Sequence, residues 1–260
     1  MIDVILSNMG TYFPEINKAL GAGLPVFARM LAFVRYAPGF DRKEVPVIVK
    51  IAMALIMTVV MVSIMDVKPP PAGTSLVMVL LVNVLCGALL GFVANCIVMV
   101  VEAGGDMINM QMGLQSAQVM DPTSGHQTSV MGRYFSLLGV ILFINLGGFY
   151  WIFNALLRSF TIFPVWSMTF PLEQLVNMTY LIEITSNILY VGLQIASPIL
   201  IATLGQDIIL GIISRTAPQV NVFQLSFLFK PVFGATILLF IMGKLVGVIN
   251  DYFLSFARIF

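Results

Sequence analysis

Long apolar segments dominate this chain, and short breaks containing charges, prolines and glycines separate them. The segment from Leu76 to Val101 carries no charge and is longer than the about 20 apolar residues that a helix needs to cross a bilayer. Asp66 to Pro71 forms a clear break, because prolines lack an N–H donor and disfavour helix in the residue before them. The pattern predicts about six spans. These are Leu20–Val34, Val45–Met65, Leu76–Val101, Tyr134–Leu157, Ile184–Gln206 and Val232–Phe256.

Several of these spans contain charges or a helix breaker. Arg29, Lys50 and Lys244 lie inside apolar runs, and Pro198 interrupts another. A charge at the bilayer centre costs about 3 kcal/mol on insertion scales, and a broken helix needs neighbouring protein or a water-filled cavity to satisfy its freed backbone groups. We therefore expect an all-α membrane protein whose residues 1–260 form a single unit of helical hairpins with broken helices.

Composition supports a membrane protein and excludes several other classes. The chain is 59% hydrophobic and 10% charged, whereas soluble domains are about 45–50% apolar and about 25% charged. A net charge of +1 without a basic block gives no support for nucleic-acid binding. Cys86 and Cys96 lie in an apolar run and are interpreted as small core residues. The start, MIDVILSN, has no positive segment, so we expect no cleaved signal peptide.

Candidate chemistry is sparse, and we expect a protein that is not an enzyme and needs no cofactor or metal. The single histidine, His126, has only Asp121 as a nearby carboxylate and is interpreted as a polar loop residue. No metalloprotease, serine-hydrolase or nucleotide-binding motif occurs. Glu102 and Asp106 would share a helical face. Capping the exit of the Leu76 span is favoured for them over binding a cation.

The segment from residue 104 to residue 127 is rich in methionine, amides and glycine. Its apolar residues alternate in a strand-like way over Ile108 to Leu114, yet some of them also fit one helical face. Glycines lower its helix propensity, and the Asp121-Pro122 step predicts the end of any helix. Such a segment is interpreted either as lining a pore or as a connecting loop packed against partners.

Four motifs resemble, in order, those of the FliR/SctT family: LPVFARMLAFVRYAPGF at 24–40, GLQSAQVMDPTSG at 113–125, SFTIFP at 159–164, and RTAPQVNVF at 215–223 followed by Lys230. They cover nearly the whole chain, and the flagellar branch fits better than the injectisome branch. The positions that match the motifs are Arg29, Pro38, Phe160, Pro164, Arg215, Pro218, Asn221 and Lys230. Considered without the resemblance, Arg215 and Lys230 are interpreted as interfacial cations.

The resemblance implies a non-enzymatic subunit of the flagellar type III protein export gate, required for flagellum assembly. It implies a FliP-like plus FliQ-like arrangement of tilted hairpins, assembled with FliP and FliQ homologues, FlhB and FlhA. The location would be the bacterial inner membrane within the flagellar basal body, with part of the assembly above the membrane plane. A loop of the family would plug the channel for unfolded export substrates. By motif match its residues are Ile108, Met110, Met112, Gly113, Leu114, Met120, Asp121 and Pro122.

Three alternatives remain at this point. The chain could serve the injectisome as its SctT export-gate subunit, act alone as a transporter or channel, or be a membrane scaffold whose methionine-rich segment never touches the conduit. A transporter is expected to show repeat symmetry and polar ligands at the midplane, and the sequence shows neither.

Overall fold

The computed structural model describes residues 14–41, 45–65, 70–71, 73–115, 129–168 and 178–257. Within these ranges the protein is all-α, as predicted. The helices are α1 (Pro14–Tyr36), α2 (Val47–Ile64), α3 (Leu76–Gln111), α4 (Val130–Asn145), α5 (Gly148–Ile162), α6 (Met178–Thr216) and α7 (Val222–Ala257). The chain folds into two compact units. That the chain acts as the single unit expected from the sequence stays a prediction.

The first unit contains α1, α2, the first part of α3 up to Asn95, and α5 from Tyr150. Helix α1 packs against α2 and, on another side, against two glycines of α3. A Cβ atom at Gly91 would lie 2.6 Å from the carbonyl oxygen of Phe33, and one at Gly87 would lie 2.9 Å from the carbonyl carbon of Arg29. The missing side chains at this Gly-x-x-x-Gly spacing let the two backbones approach closely.

The second unit contains the rest of α3, together with α4, α6 and α7. Two adjacent glycines of α3 each allow a different helix to pack closely. A Cβ at Gly104 would lie 2.9 Å from the Ile195 side chain on α6, and a Cβ at Gly105 would lie 2.7 Å from the carbonyl of Met131 on α4. Helices α4 and α7 meet through the rings of Phe143 and Phe253, whose centroids lie 5.6 Å apart in an edge-to-face arrangement.

Four of the described helices, α2, α3, α6 and α7, are long and apolar enough to cross a membrane. A fifth span is possible if the pair α4 and α5, broken by a bend, crosses as one. The described residues therefore hold four or five candidate spans, against about six predicted for the whole chain. The Tyr134–Leu157 run is not one helix, because it breaks at Leu146 and Gly147, where Gly147 has a φ of +79°.

The prediction that Pro198 interrupts its span is wrong, because α6 continues through it. Proline removes the N–H that would bond to the carbonyl four residues earlier, which is that of Gln194. The Ser197 hydroxyl donates to this carbonyl at 2.9 Å. A neighbouring side chain therefore satisfies the acceptor that the proline leaves free, as in membrane helices generally.

The methionine-rich segment begins as helix rather than as a loop or an alternating strand. Helix α3 continues to Gln111 through Gly104 and Gly105, whose low helix propensity was expected to weaken it. Packing decides otherwise, because these glycines give α4 and α6 close access to α3. The two cysteines are buried, free thiols, as predicted.

Candidate functional site

The described part of the methionine-rich segment ends in a glycine cap. Gly113 has a φ of +72°, its N–H donates to the Met110 carbonyl at 3.1 Å, and the Leu114 N–H donates to the Asn109 carbonyl at 3.2 Å. These two bonds form a Schellman motif, which satisfies carbonyls that the helix end leaves without partners. Helix α3 therefore ends at Gly113, because glycine adopts this left-handed conformation without a Cβ clash.

The apolar residues of this segment face in different directions. Ile108 and Met112 are fully buried (0% exposed), whereas Met110 is 62% exposed. Met112 packs on α7, where a Cβ at Gly234 would lie 2.7 Å from its side chain. Leu114 is partly exposed. Of the predicted plug residues, Met110 and Leu114 are thus available to an outside contact, while Met120, Asp121 and Pro122 lie outside the described residues, as does His126.

Polar groups of α3 bind the first turn of α4. Ser129 caps α4, since its hydroxyl oxygen accepts from the Gly132 N–H at 2.8 Å. The same hydroxyl donates to the Asp106 carboxylate. Asn109 Oδ1 accepts from the Met131 N–H at 3.4 Å. Asp106 therefore stabilises the start of α4. It does not cap the exit of its own helix, as favoured from the sequence, because α3 continues past it to Gln111.

Arg29 lies at the centre of a buried polar network in the first unit. Its side chain is 0% exposed. Nε donates to Asn83 Oδ1 at 3.0 Å, Nη1 to Ser159 Oγ at 3.1 Å, and Nη2 to the Phe163 carbonyl at 2.9 Å. The ring of Phe160 lies 4.0 Å from the guanidinium carbon, a cation–π contact. One residue of α1 thus binds α3, α5 and the turn that follows α5.

The acceptors of Arg29 are themselves held in place. Asn83 donates through Nδ2 to the carbonyls of Val79 at 2.8 Å and Val165 at 2.9 Å. Ser159 donates to the Leu156 carbonyl at 2.6 Å. Because its members are satisfied, the network orients the guanidinium rigidly and stabilises the corner after α5.

The motif residues of the first unit therefore have structural explanations. Arg29 and Phe160 are in contact, and Pro164 lies between Phe163 and Val165, whose carbonyls both accept hydrogen bonds from the network. Pro38 is buried in the turn after α1, apart from this network, where the Phe40 N–H donates to the Ala37 carbonyl at 3.1 Å.

The motif residues of the second unit occupy the α6–α7 hairpin. Arg215 lies exposed in the last turn of α6, where a cation is favourable at the negative end of the helix dipole. Pro218 belongs to the connecting turn. Asn221 precedes α7, and its Oδ1 accepts from the Gln224 N–H at 3.2 Å, which makes it the N-cap.

Lys230 of α7 forms an ion pair with Asp207 of α6. Its Nζ lies 2.8 Å from Oδ1 and 2.9 Å from Oδ2 of Asp207. The side chains are 21% and 42% exposed. The pair fixes the register of the two helices, and it pairs two charges within helices that otherwise have the composition of membrane spans.

Sequence reasoning missed Asn83 and Asp207, whereas Ser159 belongs to the SFTIFP motif. Asn83 is a polar residue inside a charge-free apolar run, and a polar residue in such a run is by itself a reason to expect a specific partner. Asp207 follows directly after Gln206, the end of a predicted span, and the span pattern gives no reason to expect a partner for a charge at that position.

The chain matches the family model for bacterial export proteins, family 1, over residues 20–256. It is 28% identical to the flagellar biosynthetic protein FliR of Bacillus subtilis over 235 residues, which cover 89% of this chain and 90% of that protein. It is 28% identical to FliR of Escherichia coli over 200 residues, or 76% of each chain. It is 30% identical to the surface presentation of antigens protein SpaR of Shigella flexneri over 149 residues, or 57% of this chain and 56% of that one. The chain therefore belongs to family 1 of the bacterial export proteins, the FliR/SctT family that its sequence motifs resemble.

Proposed function

We propose that this protein is a non-enzymatic subunit of a type III protein export gate in the bacterial inner membrane, and that the gate is the flagellar one. The observation that carries the proposal is the family match, which extends over residues 20–256. The flagellar biosynthetic proteins of Bacillus subtilis and Escherichia coli align over 89% and 76% of the chain, against 57% for the surface presentation of antigens protein of Shigella flexneri. The partners would be homologues of FliP and FliQ, with FlhB and FlhA, and the cargo would be unfolded flagellar substrates.

The finer part of the proposal is that the chain contributes a plug to the export channel. Met110 and Leu114 flank the glycine cap of α3, and Met110 is largely exposed, while Ile108 and Met112 anchor the same helix end in the core. Exposed methionine and leucine side chains at an anchored helix end could form an apolar constriction that excludes water. The flexible methionine side chain would adapt to varied polypeptides.

The flagellar assignment is tested by complementation. The chain is produced in a motile bacterium that lacks its own flagellar FliR protein, and swimming and secretion of flagellar proteins are measured. Restoration of both is expected. Restoration of injectisome secretion in a strain lacking its SctT protein, without restoration of motility, would instead assign the chain to the injectisome.

The plug is tested with a double variant, Met110→Gly and Leu114→Gly, in cells that contain the complete gate. Two apolar side chains buried in a closed constriction contribute about 3 kcal/mol or more, which corresponds to a factor of about 100 in the ratio of closed to open gates. We expect increased leakage of small ions, with motility reduced rather than lost. Met112 is left intact, because it packs against α7 and its loss would weaken the fold.

The matched control exchanges the two residues for others of similar size, Met110→Leu and Leu114→Met, and is expected to seal like the parent. If the glycine variant assembles normally and leaks no more than this control, the segment has only a structural role and the plug assignment is wrong.

A further inference from the structure

The last two turns of α3 are held on two opposite faces. Asp106 and Met110 share one face because they are four residues apart, and Ile108 and Met112 share another for the same reason. The two faces point about 200° apart, since each helical residue adds about 100°. Asp106 and Met110 are exposed, whereas Ile108 and Met112 are fully buried. The exposed face therefore carries a predicted plug residue, Met110, one turn beyond Asp106.

On the exposed face, α3 binds the start of α4 through a contact here called the clamp, which consists of Asp106, Ser129 and Gly132. The Ser129 hydroxyl donates to the Asp106 carboxylate and accepts from the Gly132 N–H at 2.8 Å. Gly132 is buried, and a Cβ there would lie 2.9 Å from Cγ of Asp106 and overlap its carboxylate. The missing side chain at Gly132 thus makes the space that the carboxylate fills. The clamp is therefore a packed contact as well as a hydrogen bond.

On the buried face, Met112 packs against α7. A Cβ at Gly234 would lie 2.7 Å from both Cγ and Cε of Met112, and Gly234 is itself buried. Asn109, which is 1% exposed, lies between the two faces and accepts from the Met131 N–H of α4 at 3.4 Å. Apolar contacts are non-directional, so the hydrogen bonds to α4 fix how this end of α3 is turned about its axis.

We propose that Asp106, acting through Ser129, is a positioning residue for the proposed channel constriction. The clamp sets the direction in which Met110 and Leu114 face. Without it, the last turn of α3 frays or rotates about the contact between Met112 and α7, and Met110 turns away with it. The inference rests on the proposed plug for what the positioned side chains do. Whether the clamp holds this helix end is independent of the plug.

The test separates the two roles of Ser129, the cap of α4 and the partner of Asp106. Aspartate caps helices as well as serine does, so Ser129→Asp keeps the first turn of α4 while its carboxylate repels that of Asp106. Loss of the hydrogen bond and gain of the repulsion each correspond to a factor of about five in an equilibrium. Adding Asp106→Asn restores a hydrogen bond, because the amide donates to the new carboxylate. This double variant keeps both the cap and the net charge of the parent, which makes it the matched control.

The position of the helix end is measured on the isolated chain in detergent, as the rate at which a maleimide labels Met112→Cys. Position 112 is 0% exposed, so the parent background is expected to label slowly, like the native Cys86 and Cys96, which are 1% exposed. Ser129→Asp is expected to speed labelling at least about tenfold, and the double variant is expected to restore the slow rate. Gly91→Ala disturbs the packing of α1 but leaves the clamp intact, so it is expected to leave the labelling rate unchanged even though it destabilises the fold.

Leakage of small ions is then measured in cells that contain the complete export gate. Ser129→Asp is expected to leak as the double variant Met110→Gly and Leu114→Gly does, and the addition of Asp106→Asn is expected to restore the seal.

The outcomes distinguish the clamp from the plug. Fast labelling of the parent background, or equal labelling rates with Ser129→Asp alone and with Asp106→Asn added, overturns the clamp whatever the plug does. Fast labelling with Ser129→Asp but no leakage, in cells where the glycine variant leaks, overturns the link between the clamp and the constriction. If neither variant leaks, the plug assignment itself is wrong, and the clamp has no constriction to position.

Discussion

Replacing Arg29 by methionine removes the centre of the buried network while keeping an apolar side chain of similar length. The change removes the donor from three buried acceptors, Asn83 Oδ1, Ser159 Oγ and the Phe163 carbonyl. Each unsatisfied acceptor costs about 1–3 kcal/mol, and loss of the contact with Phe160 costs up to about 2 kcal/mol more. Removal of a buried charge offsets part of this loss, because the charge no longer has to be desolvated.

The losses of hydrogen bonds and of the ring contact, less this offset, give a net destabilisation of about 3–5 kcal/mol for Arg29→Met. For a chain of this size that lowers the unfolding temperature by about 6–20 °C. Arg29→Lys keeps the charge but has a single nitrogen in place of the planar fork, so it is expected to fall between the parent and Arg29→Met. The assay is thermal unfolding of the detergent-purified protein, followed by size-exclusion chromatography.

A double-mutant cycle tests the reasoning itself. Asn83→Leu removes one of the acceptors that Arg29→Met leaves unsatisfied, so the double variant is expected to be more stable than the sum of the single effects predicts, by about 1 kcal/mol or more. Arg215→Met is the matched control, because this arginine is exposed; it is expected to cost less than about 1 kcal/mol. Equal unfolding temperatures for Arg29→Met and this control, with no coupling to Asn83, would refute the role of the network.

Two further predictions concern helix contacts. Gly91→Ala is expected to destabilise the chain by about 1–3 kcal/mol, because its Cβ would lie 2.6 Å from the Phe33 carbonyl. Gly205→Ala, with open space around it, is expected to be neutral or stabilising by up to about 1 kcal/mol. Changes of opposite sign in the unfolding temperature confirm the contact, and changes of the same sign contradict it. Lys230→Asp and Asp207→Lys are each expected to destabilise the α6–α7 hairpin by about 1 kcal/mol, a value set low because the pair is partly exposed. The combined exchange is expected to recover most of the loss, and a double exchange no better than the singles would show that the ion pair does not stabilise the hairpin.

The sequence predicts the helices well where apolar length decides and poorly where a single residue decides. Val45–Met65 was predicted and Val47–Ile64 is observed, because a long apolar run has few other stable forms in a membrane. Pro198 does not break its helix as the sequence predicts, because the Ser197 hydroxyl donates to the carbonyl that the proline leaves free. The break at Gly147 is not predicted by apolar length, because the surrounding run contains no charge.

In the candidate site, the sequence likewise predicts what local motifs contain and does not predict contacts between distant residues. The sequence motifs single out Arg29, Phe160 and Pro164, but they do not show the buried network in which these residues lie. The acceptors of Arg29 lie 54, 130 and 134 residues away, and no local periodicity carries contacts at such separations. The positions of Ile108 and Met112 inside the core and of Met110 outside it were likewise set by packing against other helices. The plug role of this segment stays a prediction.

The length of α7 limits how this hairpin can sit in a bilayer. Its 36 residues make a rod of about 54 Å, whereas the hydrocarbon layer is about 30 Å thick. Fitting the whole rod into that layer would require a tilt of about 56°, beyond the range of about 0–40° that membrane helices show. About 15 Å of the rod, some ten residues, must therefore emerge from the hydrocarbon even at the steepest of these tilts. We expect that emergent end to be surrounded by headgroups, water or other proteins, so hydropathy alone would overestimate how much of α7 touches lipid.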